Sequence, residues 1–594
     1  MLTLLLWLFS TALMGAITTA TSDQEIFNSI AQDAKRLKYN VVFVLTDDQD
    51  AELGSLDHMP FVAKHLLTKG TNYKRHYATT AVCCPSRATI WTGLTAHRHN
   101  ITDVNPPWGG YPKFASLGHN ENYVPVWLQE AGVGMYYAGK LFNVHTVTNY
   151  DSPYPGGFTG TDFLLDPYTY NYMNSTFQSG ADEPVSYEGH YSIDVVAEKG
   201  FALLDQAVNS QQQFFLTIAP IAPHCNIYMN GSVLAENHTF EFTAPIAADR
   251  HKYLFSNVKT PRTENFNPDK PSGVSWVRRL PQINDTVVDY LDDFYQARLQ
   301  ALQAVDELAD GLFQRLESYG LLNNTYVIYS SDNGYHIANH RLLAGKSTSF
   351  EEDIHVPLII RGPGVPENHT TSLVTTHTDL APTFSNLLGV PLRPEFDGKP
   401  IPVTQSGLET ALREKHEHVN VEYWGFAGAE GIYSYEPSLI KHNTYKALRI
   451  ISEDYDLYYS VWCNNEHELY DMKIDPGQMR NLLSEEEVSF LNNTAVLLGM
   501  PIQKVVARLD ALLLVTKSCA RESCVRPWSS LHPHGNVSTL EDALSPLYDH
   551  FYEVEQRRVI FDRCEDGYII DAEGPQFERD GMMYRDGLPW DTWV

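Results

Sequence analysis

The sequence predicts an α/β fold built around a large, mostly parallel β-sheet with helices on its faces. Short, continuous apolar runs rich in β-branched residues occur at Val41–Leu45, Phe214–Ile218 and Tyr326–Tyr329. Runs of this kind are typical of strands that are buried on both faces. A stretch with helical spacing of its apolar residues lies between the second and third runs. Strands that alternate with helices favour a parallel sheet, because each crossover helix packs on a face of the sheet.

Two segments have the features of helices. Apolar residues recur with a helical period over Val287–Tyr319, and Gly320 is expected to end that helix. Pro85–Gly93 is expected to open a shorter helix, with proline in the first turn and glycine at the exit. The longer helix leads into the predicted strand at Tyr326–Tyr329, as an alternation of strands and helices requires.

Two other regions depart from this pattern. Tyr150–Tyr187 is rich in Tyr, Gly, Pro, Asn and Asp and is expected to form long surface loops. We interpret those loops either as a solvated excursion or as an aromatic rim beside an active site. From about Pro400 the pattern changes to short strands and turns, which predicts a smaller α+β subdomain at the C-terminal end.

The charge of the chain excludes several classes of partner. The 594 residues include 73 acidic and 43 basic side chains, for a formal net charge of −30. A protein that binds nucleic acid needs a basic surface for the phosphates, so we expect no nucleic-acid partner. Adhesion to an anionic membrane is disfavoured for the same reason. An acidic surface keeps a secreted protein soluble, and an anionic substrate would then require a local positive pocket.

The N-terminal residues 1–20 have the pattern of a secretory signal peptide. An apolar run covers Leu2–Gly15, and the small residues Thr18 and Ala20 suit cleavage after Ala20. That run is too short to span a membrane, and no later segment is long and apolar enough. We therefore expect a secreted or secretory-pathway protein (extracellular, cell-wall or vacuolar/lysosomal) that carries N-linked glycans. The glycosylation sequons are at Asn100, Asn174, Asn230, Asn237, Asn284, Asn323, Asn368, Asn492 and Asn536.

The cysteine count is odd. Seven cysteines in an exported protein leave at least one unpaired. Cys519 and Cys524 are close enough in sequence to predict a local disulfide, and the other pairings are left open. Cys83 is the candidate for another task, and the alternative is a free buried thiol.

Carboxylates follow two of the predicted strands at the point where each strand ends. Asp47 and Asp48 come just after the first strand, and Asp332 and Asn333 come just after the third. In open α/β sheets, ligands bind at the carboxyl ends of the strands. Adjacent carboxylates repel each other unless a cation lies between them, and oxygen ligands favour Ca²⁺ or Mg²⁺. Either pair alone would more often be a turn or a helix cap, but together they predict a site for one divalent cation.

A motif at the start of the shorter helix points to a family. Cys83-Cys84-Pro85-Ser86-Arg87 continues as Ala88-Thr89-Ile90-Trp91-Thr92-Gly93. This segment resembles the signature of the sulfatase family, C-x-P-S-R followed by a short helix and T-G, and it does so over six matching positions. The resemblance implies that a formylglycine-generating enzyme oxidises Cys83 to formylglycine in the endoplasmic reticulum. It also implies an alkaline-phosphatase-like fold and metal ligation by residue 83 together with Asp47, Asp48, Asp332 and Asn333.

Other segments resemble family motifs in the expected order. Ala138-Gly139-Lys140 and Ala344-Gly345-Lys346 resemble the motifs of the two sulfate-binding lysines, and Ala222-Pro223-His224 resembles the motif of the histidine beside the bridging ester oxygen. The resemblance therefore implies catalytic roles for Cys83, Arg87, Lys140, His224 and Lys346. Arg87 is expected to orient the modified side chain, and His224 to protonate the leaving alcohol or phenol. The hydrated aldehyde would supply the hydroxyl that attacks sulfur.

One position departs from the family pattern. Many sulfatases have a histidine two positions after the first lysine, and here that position is Phe142, followed by Asn143. The sequence is similar instead to the branch that contains glucosamine-6-sulfatases and extracellular heparan 6-O-endosulfatases. Asn143 is the hypothesised substitute for the missing histidine. Further histidines are candidates for nearby roles, with a structural role as the alternative for each: His97, His99 and His336.

The resemblance covers about residues 40–482 and implies a domain plan. We expect a signal peptide at 1–20, a catalytic domain at 21–400 and a C-terminal subdomain with an extension at 401–594. The expected activity is hydrolysis of sulfate monoesters, either aryl sulfates or sugar 6-O-sulfates. Two alternatives stay open, namely phosphate ester hydrolysis on the same fold and a sulfated-glycan-binding protein whose Cys83 remains a thiol.

Overall fold

The computed structural model describes residues 38–230, 239–434, 439–484, 487 and 496–585. The predicted signal peptide and the sequons at Asn237 and Asn492 lie outside these residues. Within the described ranges, no helix combines the length and the apolarity needed to cross a bilayer.

A ten-stranded mixed sheet forms the centre of the protein, with the strand order β12-β2-β11-β10-β1-β7-β3-β4-β5-β6. The run from β10 through β1, β7 and β3 to β4 is parallel. Strands β11, β5 and β6 pair antiparallel with their neighbours. The predicted parallel sheet is therefore confirmed for its centre, and the flanks are mixed. The described strands are β1 Asn40–Thr46, β2 Thr71–Tyr77, β3 Gly134–Lys140, β4 Gly160–Leu164, β5 Asn174–Ser179, β6 Val185–Glu188, β7 Phe214–Ala219, β8 Asn226–Asn230, β9 Thr239–Thr243, β10 Thr325–Ser331, β11 Leu358–Arg361, β12 His369–Thr376, β13 His418–Tyr423, β14 Tyr445–Ile451, β15 Asp456–Trp462, β16 His467–Asp471, β17 Val496–Leu497 and β18 Met500–Pro501.

Helices cover both faces of the sheet. The longer described helices are α1 Cys83–Thr92, α2 Ser192–Asn209, α3 Asp285–Ser318, α4 Leu380–Leu387, α5 Gln405–Arg413 and α6 Ile502–Thr516. Short helices occupy Pro60–Val62, Ala96–His99, Gly110–Ser116, Val124–Glu130, Ser275–Arg278, Glu351–Ile354, Glu522–Val525, Pro527–Leu531, Leu540–Ala543 and Phe577–Asp580. The side chain of Asn284 caps α3 by accepting a hydrogen bond from Val287 N, and Gly320 just beyond the helix is left-handed, with φ 67°.

The alternation of side chains along β1 divides the core into two layers. Val42 and Val44 join the cluster formed with α2 and α3 on one face. Phe43 points to the other face, where its ring lies 5.2 Å from that of Phe384 on α4 and 6.3 Å from that of Trp91 on α1. Successive residues of a strand face opposite ways, so a continuous apolar run is what a strand covered on both sides requires.

A second, four-stranded antiparallel sheet, β13-β14-β15-β16, follows in the chain. Apolar side chains of α6 pack on one face of this sheet, against Leu448 of β14 and Leu457 of β15. Disulfides join Cys463 to Cys564 and Cys519 to Cys524, which confirms the predicted local pair. The predicted α+β character of this part of the chain is confirmed, whereas the domain boundary at residue 400 stays a prediction.

The expectation of long surface loops at Tyr150–Tyr187 is wrong in part. This stretch contributes β4, β5 and most of β6 to the edge of the large sheet. The polar sequence of β5, Asn174–Ser179, has four buried central residues. Strands β4 and β6 flank it on either side, and no alternation of apolar and polar residues marks it in the sequence.

Candidate active site

Four adjacent parallel strands carry the predicted site residues to one edge of the sheet. Asp332 and Asn333 follow β10, Asp47 and Asp48 follow β1, and the loop after β7 carries His224. The last residue of β3 is Lys140. Gly139 has φ 110°, and a side chain there would collide with the Ala219 carbonyl of β7, so the glycine permits the close strand contact beside Lys140. Helix α1 begins at Cys83 and faces the same edge.

Asp47 lies at the centre of a buried ionic network. Its carboxylate accepts a hydrogen bond from Lys140 Nζ at 2.5 Å and one from Arg87 Nη2 at 3.2 Å. Cys83 Sγ lies 3.4 Å from its other oxygen. Burial alone would raise the pKa of Asp47, but the Lys140 and Arg87 cations outweigh burial and hold that pKa well below its usual range. Asp47 is therefore a fixed negative charge beside Cys83.

Asp48 adopts an unusual backbone conformation, with φ 66°. Two hydrogen bonds hold it there: Asp48 N donates to Asp332 Oδ1 at 3.1 Å, and Arg298 Nη2 donates to Asp48 O at 2.6 Å. Left-handed backbone at a residue other than glycine costs about 1–3 kcal/mol and persists only where its surroundings enforce it. In this conformation the carboxylate of Asp48 faces the N-terminus of α1, where Cys83 lies.

The carboxylate of Asp48 is surrounded by donors. Lys346 Nζ contacts both of its oxygens, at 2.6 and 2.8 Å, and Asn333 Nδ2 donates to Oδ1 at 2.7 Å. His224 Nε2 lies 3.5 Å from Oδ2, and Cys83 Sγ lies 3.9 Å from Oδ1. The sequence-predicted residues of four chain segments therefore meet on this one carboxylate.

The donor atoms fit a hard cation. Ligand atoms of Asp47, Asp48, Cys83 and His224 all lie within 4.8 Å of one another. Asn333 Oδ1 is buried and has no hydrogen-bond partner among the described residues. An unpartnered buried amide oxygen is costly unless it has a ligand, and carbonyl and carboxylate oxygens are what Ca²⁺ and Mg²⁺ take. The cluster can therefore hold a metal ion.

Arg87 joins Asp332, which follows β10, to Asp47, which follows β1. Its Nε donates to Asp332 Oδ2 at 2.8 Å and its Nη2 donates to Asp47 Oδ2, while its Nη1 donates to the carbonyl of Lys140. The guanidinium is fully buried. A charge buried to this degree needs ionised partners nearby, and Arg87 is one of the two main causes that hold the pKa of Asp47 low.

Cys83 is nearly inaccessible, with 1% of its surface exposed. Burial, followed by the negative charge of Asp47, raises the pKa of the Cys83 thiol well above its ordinary value. Because the thiolate is the nucleophilic form of cysteine, an unmodified Cys83 is poorly suited to attack an ester.

His224 is held in one orientation. Its Nδ1 donates to the Cys225 carbonyl at 2.8 Å, which leaves Nε2 facing the site. The ring of Tyr170 stacks on it with centroids 4.0 Å apart, and Lys140 Nζ lies 4.6 Å from the same Tyr170 ring. Asn143 Nδ2 donates to the Tyr170 hydroxyl at 2.7 Å, and that hydroxyl lies 4.0 Å from Cys83 Sγ. Asn143 thus reaches the site through Tyr170.

Sequence reasoning missed three residues of this site. Tyr170 was part of the tyrosine-rich stretch, where no local signal separates it from its neighbours. Arg298 lies within the helix predicted at Val287–Tyr319, but nothing in the apolar spacing marks it as a site residue. Glu430 lies in a segment without a clear strand or helix pattern in the sequence. Glu430 lies 3.0 Å from Lys346 Nζ; burial would raise the pKa of this carboxyl, but Lys346 outweighs burial and holds it at about 2.

Two of the additional histidine candidates are structural. His97 pairs with Glu422 at 2.9 Å, and His99 Nε2 lies 3.0 Å from Thr89 Oγ1. His336 Nδ1 contacts Asp353 at 2.8 Å, and its ring lines a cavity that also includes Lys346. Of the three, only His336 therefore lies beside the cluster.

Comparison with known proteins agrees with this geometry. The sulfatase family profile matches residues 39–390, and a profile described as N-sulphoglucosamine sulphohydrolase, C-terminal, matches residues 339–496. An arylsulfatase from Volvox carteri is 36% identical over 547 residues, which cover 89% of this chain and 82% of that protein. An N-acetylglucosamine-6-sulfatase from Capra hircus is 29% identical over 517 residues, which cover 82% and 85% of the two chains.

A solved structure has a similar fold. It is described as a complex with its substrate D-glucosamine-2-N,6-O-disulfate, and it aligns with a TM-score of 0.60 at 21% identity, over 77% of this chain and 96% of that one. The family profile spans more than half of the chain, and the Volvox relative exceeds 30% identity over most of it. The chain therefore belongs to the sulfatase family, and it is a sulfuric ester hydrolase.

Proposed function

We propose that the protein hydrolyses aryl sulfates and sugar 6-O-sulfates to sulfate and a phenol or alcohol, with a formylglycine made from Cys83 and one bound Ca²⁺. The observation that carries this proposal is the position of Cys83, at the first turn of α1 and against the carboxylates of Asp47 and Asp48. A helix N-terminus attracts an oxyanion, because its free N–H groups and dipole are positive there.

The residues that would hold the cation are Asp47, Asp48, Asp332, Asn333 and residue 83. The unpartnered Asn333 Oδ1 supports this assignment, as does the burial of all three carboxylates. Ca²⁺ fits better than Mg²⁺, because Mg²⁺ usually retains several waters while Ca²⁺ accepts a full cage of protein oxygens. When bound, the cation would neutralise the facing carboxylates and polarise sulfate oxygens.

The modified residue 83 would supply, as a hydrated aldehyde, two hydroxyls on one carbon. The raised pKa of the Cys83 thiol supports this role, because an unmodified thiol would remain protonated there. Asp47, which Arg87 and Lys140 keep ionised, can accept a hydrogen bond from a hydroxyl at this position. Conversion requires a formylglycine-generating enzyme as a partner during synthesis.

The cationic side chains would bind the sulfate group. Lys140 contacts Asp47 and Lys346 contacts Asp48, and both amines are buried. Preorganised donors in such a dry site are each worth about 10²–10³-fold in rate. His224 would donate a proton from Nε2 to the leaving oxygen, and stacking on Tyr170 keeps its ring in place.

Removing the metal should inactivate the enzyme and lower its melting temperature. A ligand that binds only the folded state at 100 times its Kd stabilises that state by about 2.7 kcal/mol. Dialysis against a chelator, followed by elemental analysis, activity assay and thermal melting, checks this result. Added Ca²⁺ should restore activity and stability more fully than Mg²⁺. Full activity in protein shown to contain no metal would rule out the cation.

The choice between sulfate and phosphate esters needs a direct comparison. We expect turnover of 4-nitrophenyl sulfate to exceed that of 4-nitrophenyl phosphate. Both esters release the same leaving group, so the comparison isolates the effect of the transferred group. Faster hydrolysis of the phosphate would overturn the proposed activity. The protein should be tested with residue 83 converted, as it is produced by its native host.

Replacing His224 by alanine should produce a loss that depends on the leaving group. An alkyl or sugar sulfate has a basic leaving oxygen that needs a proton, so its kcat should fall by about 10²–10⁴-fold. The acidic 4-nitrophenol leaves readily, so the kcat for its sulfate should fall much less. A plot of log kcat against leaving-group pKa is the measurement. Equal losses for all substrates would show that His224 does not donate this proton.

We further propose that the protein enters the secretory pathway and carries N-linked glycans. The signal-peptide pattern at residues 1–20 and the sequons support this, and the formation of formylglycine from Cys83 requires passage through that compartment. The proposed arrangement into a catalytic part at 21–400 and a C-terminal part at 401–594 follows the change from the large sheet to the four-stranded sheet.

A further inference from the structure

Tyr170 brings a buried hydroxyl into the active site. The residue lies in the loop between β4 and β5, and 7% of its surface is exposed. Its ring stacks on that of His224, with centroids 4.0 Å apart, and Lys140 Nζ lies 4.6 Å from its ring centroid. The Tyr170 carbonyl accepts a hydrogen bond from Ile227 N at 3.1 Å. These contacts hold both the ring and the backbone, so they fix the position of the hydroxyl.

The partners of this hydroxyl set the direction of its proton. Asn143 Nδ2 donates a hydrogen bond to the Tyr170 oxygen at 2.7 Å, and Tyr111 N donates to the Asn143 carbonyl at 2.8 Å. The hydroxyl proton must then point away from Asn143, toward an acceptor. In the described part of the chain, the acceptor that it reaches is Cys83 Sγ, at 4.0 Å. Buried hydroxyls are nearly always hydrogen-bonded, so residue 83 is the target of this one.

Cys83 Sγ stands in for the oxygen that a converted residue 83 carries on the same carbon. Sγ lies 3.4 Å from Asp47 Oδ1 and 3.9 Å from Asp48 Oδ1, as well as 4.0 Å from the Tyr170 oxygen. A hydrated aldehyde has two oxygens on this carbon where cysteine has one sulfur. Residue 83 can therefore bond Tyr170 with one oxygen and keep the other for the carboxylate cluster.

We propose that the Tyr170 hydroxyl donates a hydrogen bond to one oxygen of the hydrated residue 83, so that the other oxygen attacks sulfur, and that Asn143 positions this hydroxyl. This inference rests on the proposed function, because it assumes that Cys83 is converted. Tyr170 is then a catalytic residue and Asn143 a positioning residue. A hydrogen bond that distinguishes two equivalent hydroxyls orients the nucleophile before the ester binds, which lowers the entropic cost of reaching the transition state.

The direct test is a crystal structure of the protein from its native host, with Ca²⁺ present, at a resolution that shows both oxygens of residue 83. The distance from Tyr170 Oη to the nearer oxygen should be about 2.5–3.0 Å, the range of an O–H···O hydrogen bond. If residue 83 is converted and both of its oxygens lie more than about 3.5 Å from Tyr170 Oη, the assignment of Tyr170 is wrong and the proposed function stands.

Two further outcomes concern the proposed function. If the hydrogen bond is present in converted protein that hydrolyses no sulfate ester, the contact stands and the proposed function fails. Active protein in which residue 83 is an intact cysteine would overturn both proposals.

Tyr170→Phe removes the hydroxyl and keeps the ring on His224. Residue 83 is then free to rotate, so kcat should fall about 10–10²-fold. KM should stay close to the wild-type value, because the lost contact is to the nucleophile and not to the bound ester. The loss should be the same for 4-nitrophenyl sulfate and for an alkyl sulfate, since His224 remains in place. Unchanged kcat would contradict the proposal.

Tyr170→Leu is the comparison for the ring. This variant loses the stack on His224 as well as the hydroxyl, so its kcat should fall more for the alkyl sulfate than for 4-nitrophenyl sulfate. The same dependence on the leaving group in Tyr170→Phe would show that Tyr170 acts through His224 alone. Thermal melting shows which variants are folded, and the crystallographic distance decides the question if a variant is not.

A double-mutant cycle tests the role of Asn143. Asn143→Leu removes the donor to the Tyr170 oxygen at similar side-chain size, and it should lower kcat about as much as Tyr170→Phe does. In the Tyr170→Phe background the same change should cost little more, because Asn143 acts through the hydroxyl that is already absent. The control is Tyr123→Phe, which removes a buried hydroxyl that donates to the Gly156 carbonyl at 2.7 Å and should keep wild-type kcat. Additive losses in the cycle, or an equal loss in the control, would contradict the proposal.

Discussion

Replacing Cys83 by alanine will abolish the hydrolysis of 4-nitrophenyl sulfate, with a loss on the order of 10⁴-fold or more. In the proposed mechanism the side chain at position 83 supplies the nucleophile, and removal of a nucleophile takes away the covalent route entirely. Lys140, Lys346 and His224 would remain, so weak binding of the ester should survive while turnover is lost. Initial rates under saturating substrate, with protein from the native host, measure this loss.

The matched control is Cys84→Ala. Cys84 is the next residue of α1 and is also fully buried, and among the described residues it forms no hydrogen bond with Asp47, Asp48 or Asp332. This variant should keep most of the wild-type activity, with a modest loss of stability from the small cavity it leaves. Full activity in Cys83→Ala, or equal losses in both variants, would contradict the role given to residue 83.

Replacing Arg87 by methionine will both inactivate and destabilise the protein. Arg87 is fully buried between Asp47 and Asp332, at 3.2 and 2.8 Å from their oxygens. Breaking a buried ion pair by removing one partner leaves an uncompensated charge and costs about 3–5 kcal/mol. The pKa of Asp47 should rise, because Arg87 is one of the two main causes that hold it low. Activity should fall at least about 10²-fold.

Denaturant titration of the unfolding midpoint measures the loss of stability in Arg87→Met. The control is Arg250→Met, which removes a guanidinium that pairs with Asp194 and Glu307 at the surface, where all three side chains are about 40% exposed. An exposed pair contributes about 0–1 kcal/mol, so the control should unfold near the wild-type midpoint. Equal stability of the two variants would contradict the role given to Arg87 as the buried partner of Asp47 and Asp332.

The sequence predicted the part of the site that local patterns specify. Asp47 and Asp332 each follow an unbroken apolar run, and the carboxyl ends of parallel strands share one edge of a sheet, so their meeting could be inferred. Cys83 and Arg87 were predicted from the resemblance of Cys83-Cys84-Pro85-Ser86-Arg87 to the family signature. Their contacts with Asp47 follow once α1 begins at Cys83.

The rest of the site depends on contacts between distant segments. Tyr170 reaches His224 because strands β4 and β5 place the loop between them over the end of β7, and the composition of that stretch suggested loops. Glu430 approaches Lys346 through backbone pairing of Gly345 with Ala429. Neither contact leaves a periodic signal in the sequence, because each is made by a single residue in irregular chain.

The net charge of the chain does not predict where its basic side chains lie. A chain with a net charge of −30 concentrates Arg87, Lys140 and Lys346 in one buried cluster. Their partners are the carboxylates that would bind the cation, so ion pairs balance the positive charge of these three side chains. A bound divalent cation would add the positive charge that an anionic ester requires.

The mass of the peptide that contains residue 83, from protein secreted by the native host, tests the central claim most directly. Formylglycine replaces the thiol by an aldehyde, so the account predicts a peptide lighter than the cysteine form and lacking sulfur at that residue. The same preparation should hydrolyse 4-nitrophenyl sulfate. An active preparation in which every copy of residue 83 is an intact cysteine would contradict the account.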